Sequence, residues 1–260
     1  MYMSDSNIKM STGKFIVGRI LAVWAIFIFA SSMMVAVFFM LPCFVLAEPA
    51  IAKLHRRITQ IWMRFFLFFI GCRIKIKGAH HFVKGENYVV VCNHNSLMDV
   101  PVSTPFMPRA NKTIAKVSFS KVPIFGWVYK FGSVLVDRRN DQSRRKSYEE
   151  MKTILSLGLD MLIYPEGTRN RTGDPLKSFF DGAFRLAVDT NKRILPTVLF
   201  NSKNILPPSP SFCLFPGKIE MHFLPPVNVA GKTSKEVKEE VFNLMWNYYA
   251  DHQSLLEGRI

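Results

Sequence analysis

The stretch Tyr88-Val89-Val90-Val91-Cys92-Asn93-His94-Asn95-Ser96-Leu97-Met98-Asp99 joins an unbroken apolar run to a histidine and, five positions later, an aspartate. The run from Tyr88 to Cys92 reads as a buried strand. Five residues of ideal helix would rotate the histidine and aspartate side chains roughly 140° apart, and an odd spacing in a strand puts them on opposite faces. They meet only if the chain turns between them, with His94 leaving the strand and Asp99 in the first turn of a helix. A carboxylate that holds an imidazole in one tautomer makes it a competent general base near neutral pH. A histidine held by a buried aspartate for structure alone is the competing reading of the pair.

A second block, Tyr164-Pro165-Glu166-Gly167-Thr168-Arg169, follows another strand-like run, Met161-Leu162-Ile163. Gly167 permits a tight turn and close backbone approach, and Arg169 offers a planar fork suited to phosphate or carboxylate. Between the two blocks, Phe131-Gly132-Ser133-Val134-Leu135-Val136-Asp137-Arg138 reads as a third strand ending in an arginine. After them, Ile194 to Phe200 reads as a strand that carries a proline. In this order the four segments resemble the glycerophospholipid acyltransferase family, most closely its 1-acyl-glycerol-3-phosphate acyltransferases, from about Gly78 to Pro226.

The resemblance implies transfer of a fatty acyl group from a thioester to the free hydroxyl of 1-acyl-sn-glycerol-3-phosphate, giving phosphatidate for phospholipid synthesis. The donor is acyl-coenzyme A or an acyl carrier protein thioester, with no bound cofactor, and no ligand cluster in the sequence suggests a bound metal ion. His94 would take the hydroxyl proton, and Asp99 would orient it and stabilise the imidazolium, with no covalent intermediate. Arg169, then Arg138 and Lys116, are the expected phosphate ligands. Gly167, Thr168 and Glu166 complete the substrate-binding block, Glu166 bracing the arginine or the loop rather than moving a proton. Backbone amides near Asn95-Ser96 or Gly167 are candidate oxyanion donors, and Ser96 reads as a helix N-cap rather than a nucleophile. One departure bears on the acceptor: Asp181 precedes Gly182-Ala183-Phe184, where the family often carries a basic residue. That leaves glycerol 3-phosphate or another lysolipid as alternative acceptors.

The 260 residues carry a formal charge of +15, which points to an anionic partner. No nucleic-acid recognition motif accompanies it. A non-catalytic basic protein that binds anionic lipid would also fit the charge, but it gives no reason for His94, Asp99 and Arg169 in this order. Cys43, Cys72, Cys92 and Cys213 are scattered in apolar surroundings and read as buried free thiols. None stands at metal-ligand spacing from a histidine, which argues against structural zinc.

From Ile20 to Ala47 no residue in 28 positions is charged, more than the ~20 that span a bilayer and longer than a signal core of ~7–15. Lys9, Lys14 and Arg19 precede this segment and Lys53, Arg56 and Arg57 follow it, so flanking charge sets no orientation. Pro42 is expected to break the helix near its end, and Ser31-Ser32 to mark a bend. The shorter stretch Ile61–Cys72, containing Arg64, suits a helix at the membrane interface. Two such helices with basic ends on the cytoplasmic side would form a monotopic anchor, a single span being the alternative. The expected partners are therefore the lipid bilayer, a lysophospholipid and an acyl thioester or its carrier protein.

Beyond this region strands and helices alternate, which argues for an α/β fold with a central, mostly parallel or mixed sheet flanked by helices. Arg73 to Lys77 alternates apolar and basic residues as an edge or half-exposed strand ending at Gly78, and Asp141 to Leu157 has helical spacing closed by Gly158. A proline-rich loop covers Ile205 to Pro216. Thr233-Ser234-Lys235-Glu236 is a capping box that opens an amphipathic helix with Val237, Val241, Leu244 and Met245 on one face. The expected organisation is residues 1–72 as anchor, 73–230 as catalytic domain and 231–260 as a helix packed on it.

Overall fold

A computed structural model describes residues 11–208, 210 and 212–257; Lys9 lies outside the described residues. The apolar runs form a seven-stranded sheet: β1 (Arg73–Lys77), β2 (Val89–Cys92), β3 (Asn111–Lys116), β4 (Ser133–Val136), β5 (Asp160–Ile163), β6 (Ile194–Phe200) and β7 (Lys218–Phe223). Their order is β1-β7-β6-β2-β5-β3-β4. Every neighbouring pair is parallel except β6 with β7. The sheet is thus mixed. β2, β5 and β6 are buried along their whole length, which explains their continuous rather than alternating hydrophobicity. The basic alternation of β1 places it at the edge. β4 starts at Ser133, later than its sequence suggested, because Phe131 and Gly132 still belong to the preceding helix.

Pro196 lies within β6, between β7 and β2, yet costs little. Its carbonyl accepts the Leu224 N–H at 2.9 Å, so the missing donor faces a residue just past the end of β7.

Helices cover both faces. On one side α5 (Asp141–Ser156), α6 (Gly182–Asp189) and α8 (Ser234–Glu257) pack on Val89 and Val91 of β2. The predicted capping box is present: Glu236 Oε2 accepts the Thr233 N–H at 2.7 Å, and Thr233 Oγ1 accepts the Glu236 N–H at 3.3 Å. Val237, Val241 and Met245 are fully buried. On the other side Tyr88, Val90 and Cys92 meet α1 (Thr12–Met40), α2 (Ala50–Phe69) and α3 (Asp99–Phe106). The short helices α4 (Phe125–Gly132) and α7 (Ser202–Ile205) complete the set.

α1 runs without interruption through Ser31 and Ser32, whose hydroxyls bond carbonyls of the preceding turn. Pro42 does end it, opening a 3-10 turn over Leu41–Phe44. Together they make a 33-residue helical segment holding an 18-residue stretch of mean hydropathy 2.4, the one described helix long and apolar enough to cross a membrane. α2 starts well before Ile61 and is amphipathic. Trp62, Met63, Phe66 and Leu67 join the sheet core, while Ile61, Phe65 and Phe68 point outward. Lys112 of β3, almost fully buried, holds Glu48 between the two helices at 2.5 Å, fixing the hairpin to the sheet. The outward apolar side chains of α1 and α2, with Phe38 at 65% and Phe68 at 77% exposure, are unsuited to water. This protein associates with a membrane. The four cysteines are free and buried.

Candidate active site

In open α/β sheets ligands bind outside the carboxyl ends of the strands, where the chain reverses its direction of winding. β2 lies at such a point. From it the chain proceeds to β3 and β4 on one side, returns to β5, and then crosses to β6 on the other. His94 stands just past the end of β2, and Asp99 is the first residue of α3.

The turn between them brings the pair together. His94 Nδ1 is 2.8 Å from Asp99 Oδ2, and that oxygen also accepts the Asn95 and Ser96 N–H groups at 2.6 and 2.7 Å. Three donors on one carboxylate oxygen close the loop. With Nδ1–H donating to Asp99, Nε2 is the nitrogen that carries the lone pair. Asp99 is fully buried and the imidazole is 17% exposed, so the basic edge of the ring is reachable from outside.

The backbone of His94 is held from the other block. Its N–H donates to Glu166 Oε1 at 2.8 Å, and its carbonyl accepts the Asn170 N–H at 2.5 Å. The other Glu166 oxygen accepts the Lys177 N–H at 3.1 Å. Glu166 is 1% exposed, so it braces the loop rather than facing a ligand, and it holds no arginine. Burial pushes its carboxyl up to about 7, against the pull of the His94 and Lys177 amides. Burial likewise holds the Cys92 thiol well above its ordinary value, reinforced by Asp99 and Glu166. No thiolate nucleophile is to be expected there.

The amides expected as oxyanion donors are engaged elsewhere: those of Asn95 and Ser96 on Asp99, and that of Gly167 on the Tyr164 carbonyl at 3.1 Å. Ser96 is not the N-cap, which is Met98. Its hydroxyl accepts the Met98 N–H at 3.2 Å and donates to the Leu206 carbonyl at 2.9 Å, turned away from any nucleophilic role.

Gly167 adopts φ +69°, and a Cβ there would lie 2.7 Å from the Phe180 ring. Its carbonyl accepts from Arg138 Nη1 at 2.6 Å. Lys177 Nζ donates to Thr168 Oγ1 at 2.9 Å. Arg138, Gly167, Thr168 and Lys177 therefore form one cluster at the carboxyl edge of the sheet. Arg169, half-buried, follows directly from Thr168. Lys116 is exposed at the end of β3, in register with Val136 just before Arg138. Sequence reasoning had assigned no role to Tyr164, Asn170, Lys177 or Asn93. Asn93 ties β2 to β6 through both amide atoms, at 3.0 and 2.7 Å to the Leu199 backbone. Only its position beside His94 signalled it. Among the described residues no cluster of three His, Cys, Asp or Glu could hold a metal ion.

A family model described as Acyltransferase matches residues 73–200, which hold both blocks. The mouse 1-acyl-sn-glycerol-3-phosphate acyltransferase alpha is 30% identical over 200 residues, covering 74% of this chain and 70% of that protein. This chain belongs to the acyltransferase family. The acyltransferase is also 27% identical over 191 residues to the 1-acyl-sn-glycerol-3-phosphate acyltransferase of Cocos nucifera, covering 73% of this chain and 60% of that protein. Its fold matches the crystal structure of the 1-acyl-sn-glycerophosphate (LPA) acyltransferase PlsC from Thermotoga maritima. The TM-score is 0.78 at 22% identity, over 95% of this chain and 99% of that one.

The departure at Asp181 has a local explanation in this acyltransferase. Asp181 Oδ1 accepts from Lys238 Nζ of α8 at 2.5 Å. The pair lies at an exposed position and links the residue before α6 to α8.

Proposed function

We propose that this chain is a membrane-bound 1-acylglycerol-3-phosphate acyltransferase that makes phosphatidate from lysophosphatidate and an acyl thioester. The observation that carries the reading is the 2.8 Å His94–Asp99 contact at the carboxyl end of β2, with the basic nitrogen left open. His94 Nε2 takes the proton of the acceptor hydroxyl as that oxygen attacks the thioester carbonyl. The C–S bond then breaks, and the imidazolium returns the proton to the departing thiolate. Such base catalysis supplies ~10²–10⁴-fold, and positioning of the two substrates supplies much of the rest. Asp99 holds the tautomer and stabilises the imidazolium.

Arg169, Arg138 and Lys116 hold the phosphate, with the Gly167–Thr168 turn shaping the site. Arg138 does so while bonded to the Gly167 carbonyl. Residues 1–72 are the anchor, 73–230 the catalytic domain and 231–260 the packed C-terminal helix in this reading, of which 1–10, 209, 211 and 258–260 lie outside the described residues. The catalytic domain faces the cytoplasm, where acyl-coenzyme A and acyl carrier protein are both available as acidic donors for a protein of charge +15.

The test is acyl transfer by the detergent-purified protein to lysophosphatidate, glycerol 3-phosphate and a lysolipid lacking a phosphomonoester, each beside His94→Ala. Turnover confined to lysophosphatidate and lost in the variant is expected. Transfer only to another acceptor overturns the substrate, and full activity in the variant overturns the mechanism.

A further inference from the structure

Tyr164 directly follows β5 and takes no part in the proposed proton transfer, yet two of its contacts converge on the His94–Asp99 pair. Its ring stacks on the His94 imidazole, with centroids 4.5 Å apart and planes inclined by 29°. Its hydroxyl lies 2.6 Å from Ser103 Oγ. Ser103 is fully buried and sits on α3 four residues after Asp99, hence on the same helix face. The helix that supplies the imidazole's acceptor therefore also anchors the ring that covers it.

We propose that Tyr164 is a positioning residue for His94, its ring setting the imidazole plane and the Ser103 hydroxyl fixing the ring. The inference rests on His94 being the general base. A single hydrogen bond from Nδ1 to Asp99 fixes one edge of the imidazole but lets the ring rock about that contact. Rocking sweeps Nε2 away from the acceptor hydroxyl, and small misplacements of a reacting atom are costly. The flat face of Tyr164 removes that freedom. An aromatic face also attracts a cation, so it favours the imidazolium formed during transfer over the neutral ring of the resting enzyme. Burial, with Cys92 and Asp99 nearby, pushes the Tyr164 phenol well above its ordinary value. The hydroxyl thus stays protonated and available to Ser103.

The experiment is a double-mutant cycle of Tyr164→Phe and Ser103→Ala, with Tyr164→Leu alongside, on whichever acceptor the wild-type protein uses. Each single change cuts the same hydrogen bond, so each is expected to lower kcat several-fold with both KM values unchanged. The double variant should be no slower than the slower single one, and Tyr164→Leu should be at least about tenfold slower still. Unchanged kcat in the single variants, losses that multiply, or losses confined to KM overturn the proposal. If Tyr164→Leu does not fold, the cycle decides alone. Imidazole ¹H–¹⁵N spectra of the detergent-solubilised protein read the same geometry without turnover. Both single variants should shift the His94 signals alike, and unmoved signals refute the positioning role. Absence of wild-type transfer to any acceptor counts against the proposed reaction, while these spectra still decide the role of Tyr164.

Discussion

The buried Glu166 carboxylate accepts the backbone N–H of His94 at 2.8 Å, across 72 residues of sequence. The proposed general base is thereby fastened to the loop that holds Thr168 and Arg169. Because the other Glu166 oxygen accepts the Lys177 N–H, one side chain sets the relative position of both blocks.

Glu166→Gln tests this link. An amide has one acceptor oxygen where the carboxylate has two, so either the His94 or the Lys177 N–H loses its partner. An unpaired buried donor costs about 1–3 kcal/mol. The variant is expected to melt lower and to lose about tenfold or more in kcat, as thermal unfolding and initial rates would record. Wild-type kcat would remove Glu166 from the positioning of His94.

Asp99→Asn keeps the size of the side chain but removes its charge. The His94–Asp99 contact would survive in shape, while the imidazolium formed during transfer would lose its stabilising carboxylate. We expect kcat to fall by roughly 10²-fold or more with the fold retained by circular dichroism. A loss of only a few-fold would make the aspartate a structural prop.

Glu166 and Asp160 also predict how stability responds to pH. Burial raises the first from 4.5 to about 7 and the second from 3.8 to about 6. A carboxyl raised on folding binds its proton more tightly in the folded state, so its contribution is complete below the unfolded value and is lost as pH rises through the folded one. The melting temperature attributable to these groups should fall between about pH 4 and 7. Glu166→Gln should flatten that slope, leaving the Asp160 part. An identical slope in the variant would assign the effect elsewhere.

Glu220 acts in the opposite sense. Although its own burial opposes ionisation, hydrogen bonds from Lys218, His222 and Lys77 bring its carboxyl down to about 2. Its contribution is present above 4.5 and is lost as pH falls towards 2. Glu220→Gln should therefore destabilise at neutral pH and lose less than the wild type on acidification from 4.5, as read by urea unfolding at each pH.

Asp181→Asn removes the Lys238 partner at an exposed position. The change should leave the KM for the phosphate-bearing acceptor as it is and alter stability by less than about 1 kcal/mol. A clear fall in that KM would return Asp181 to the phosphate site.

Much of this protein was legible residue by residue. Three apolar runs announced β2, β5 and β6, because strands buried on both faces need no alternation. The five-residue spacing of His94 and Asp99 required a strand, a turn and a helix, and β2 and α3 supply them. The capping box at Thr233 and Glu236 worked likewise, since its partners lie within one helical turn.

What only the tertiary structure decided are the pairings across long separations. Strand order brings Glu166 to His94 and Tyr164 to Ser103, and the packing of α6 against α8 brings Lys238 to Asp181. No local periodicity encodes such neighbours. The same cause undid one sequence-based expectation. The Asn95, Ser96 and Gly167 amides look free in the sequence, yet the folded turns consume them internally. Local sequence chose the elements and the chemical groups, because backbone sterics and hydrophobic period act over a few residues. Packing chose which groups face one another, because burial and hydrogen bonding are satisfied by the chain as a whole.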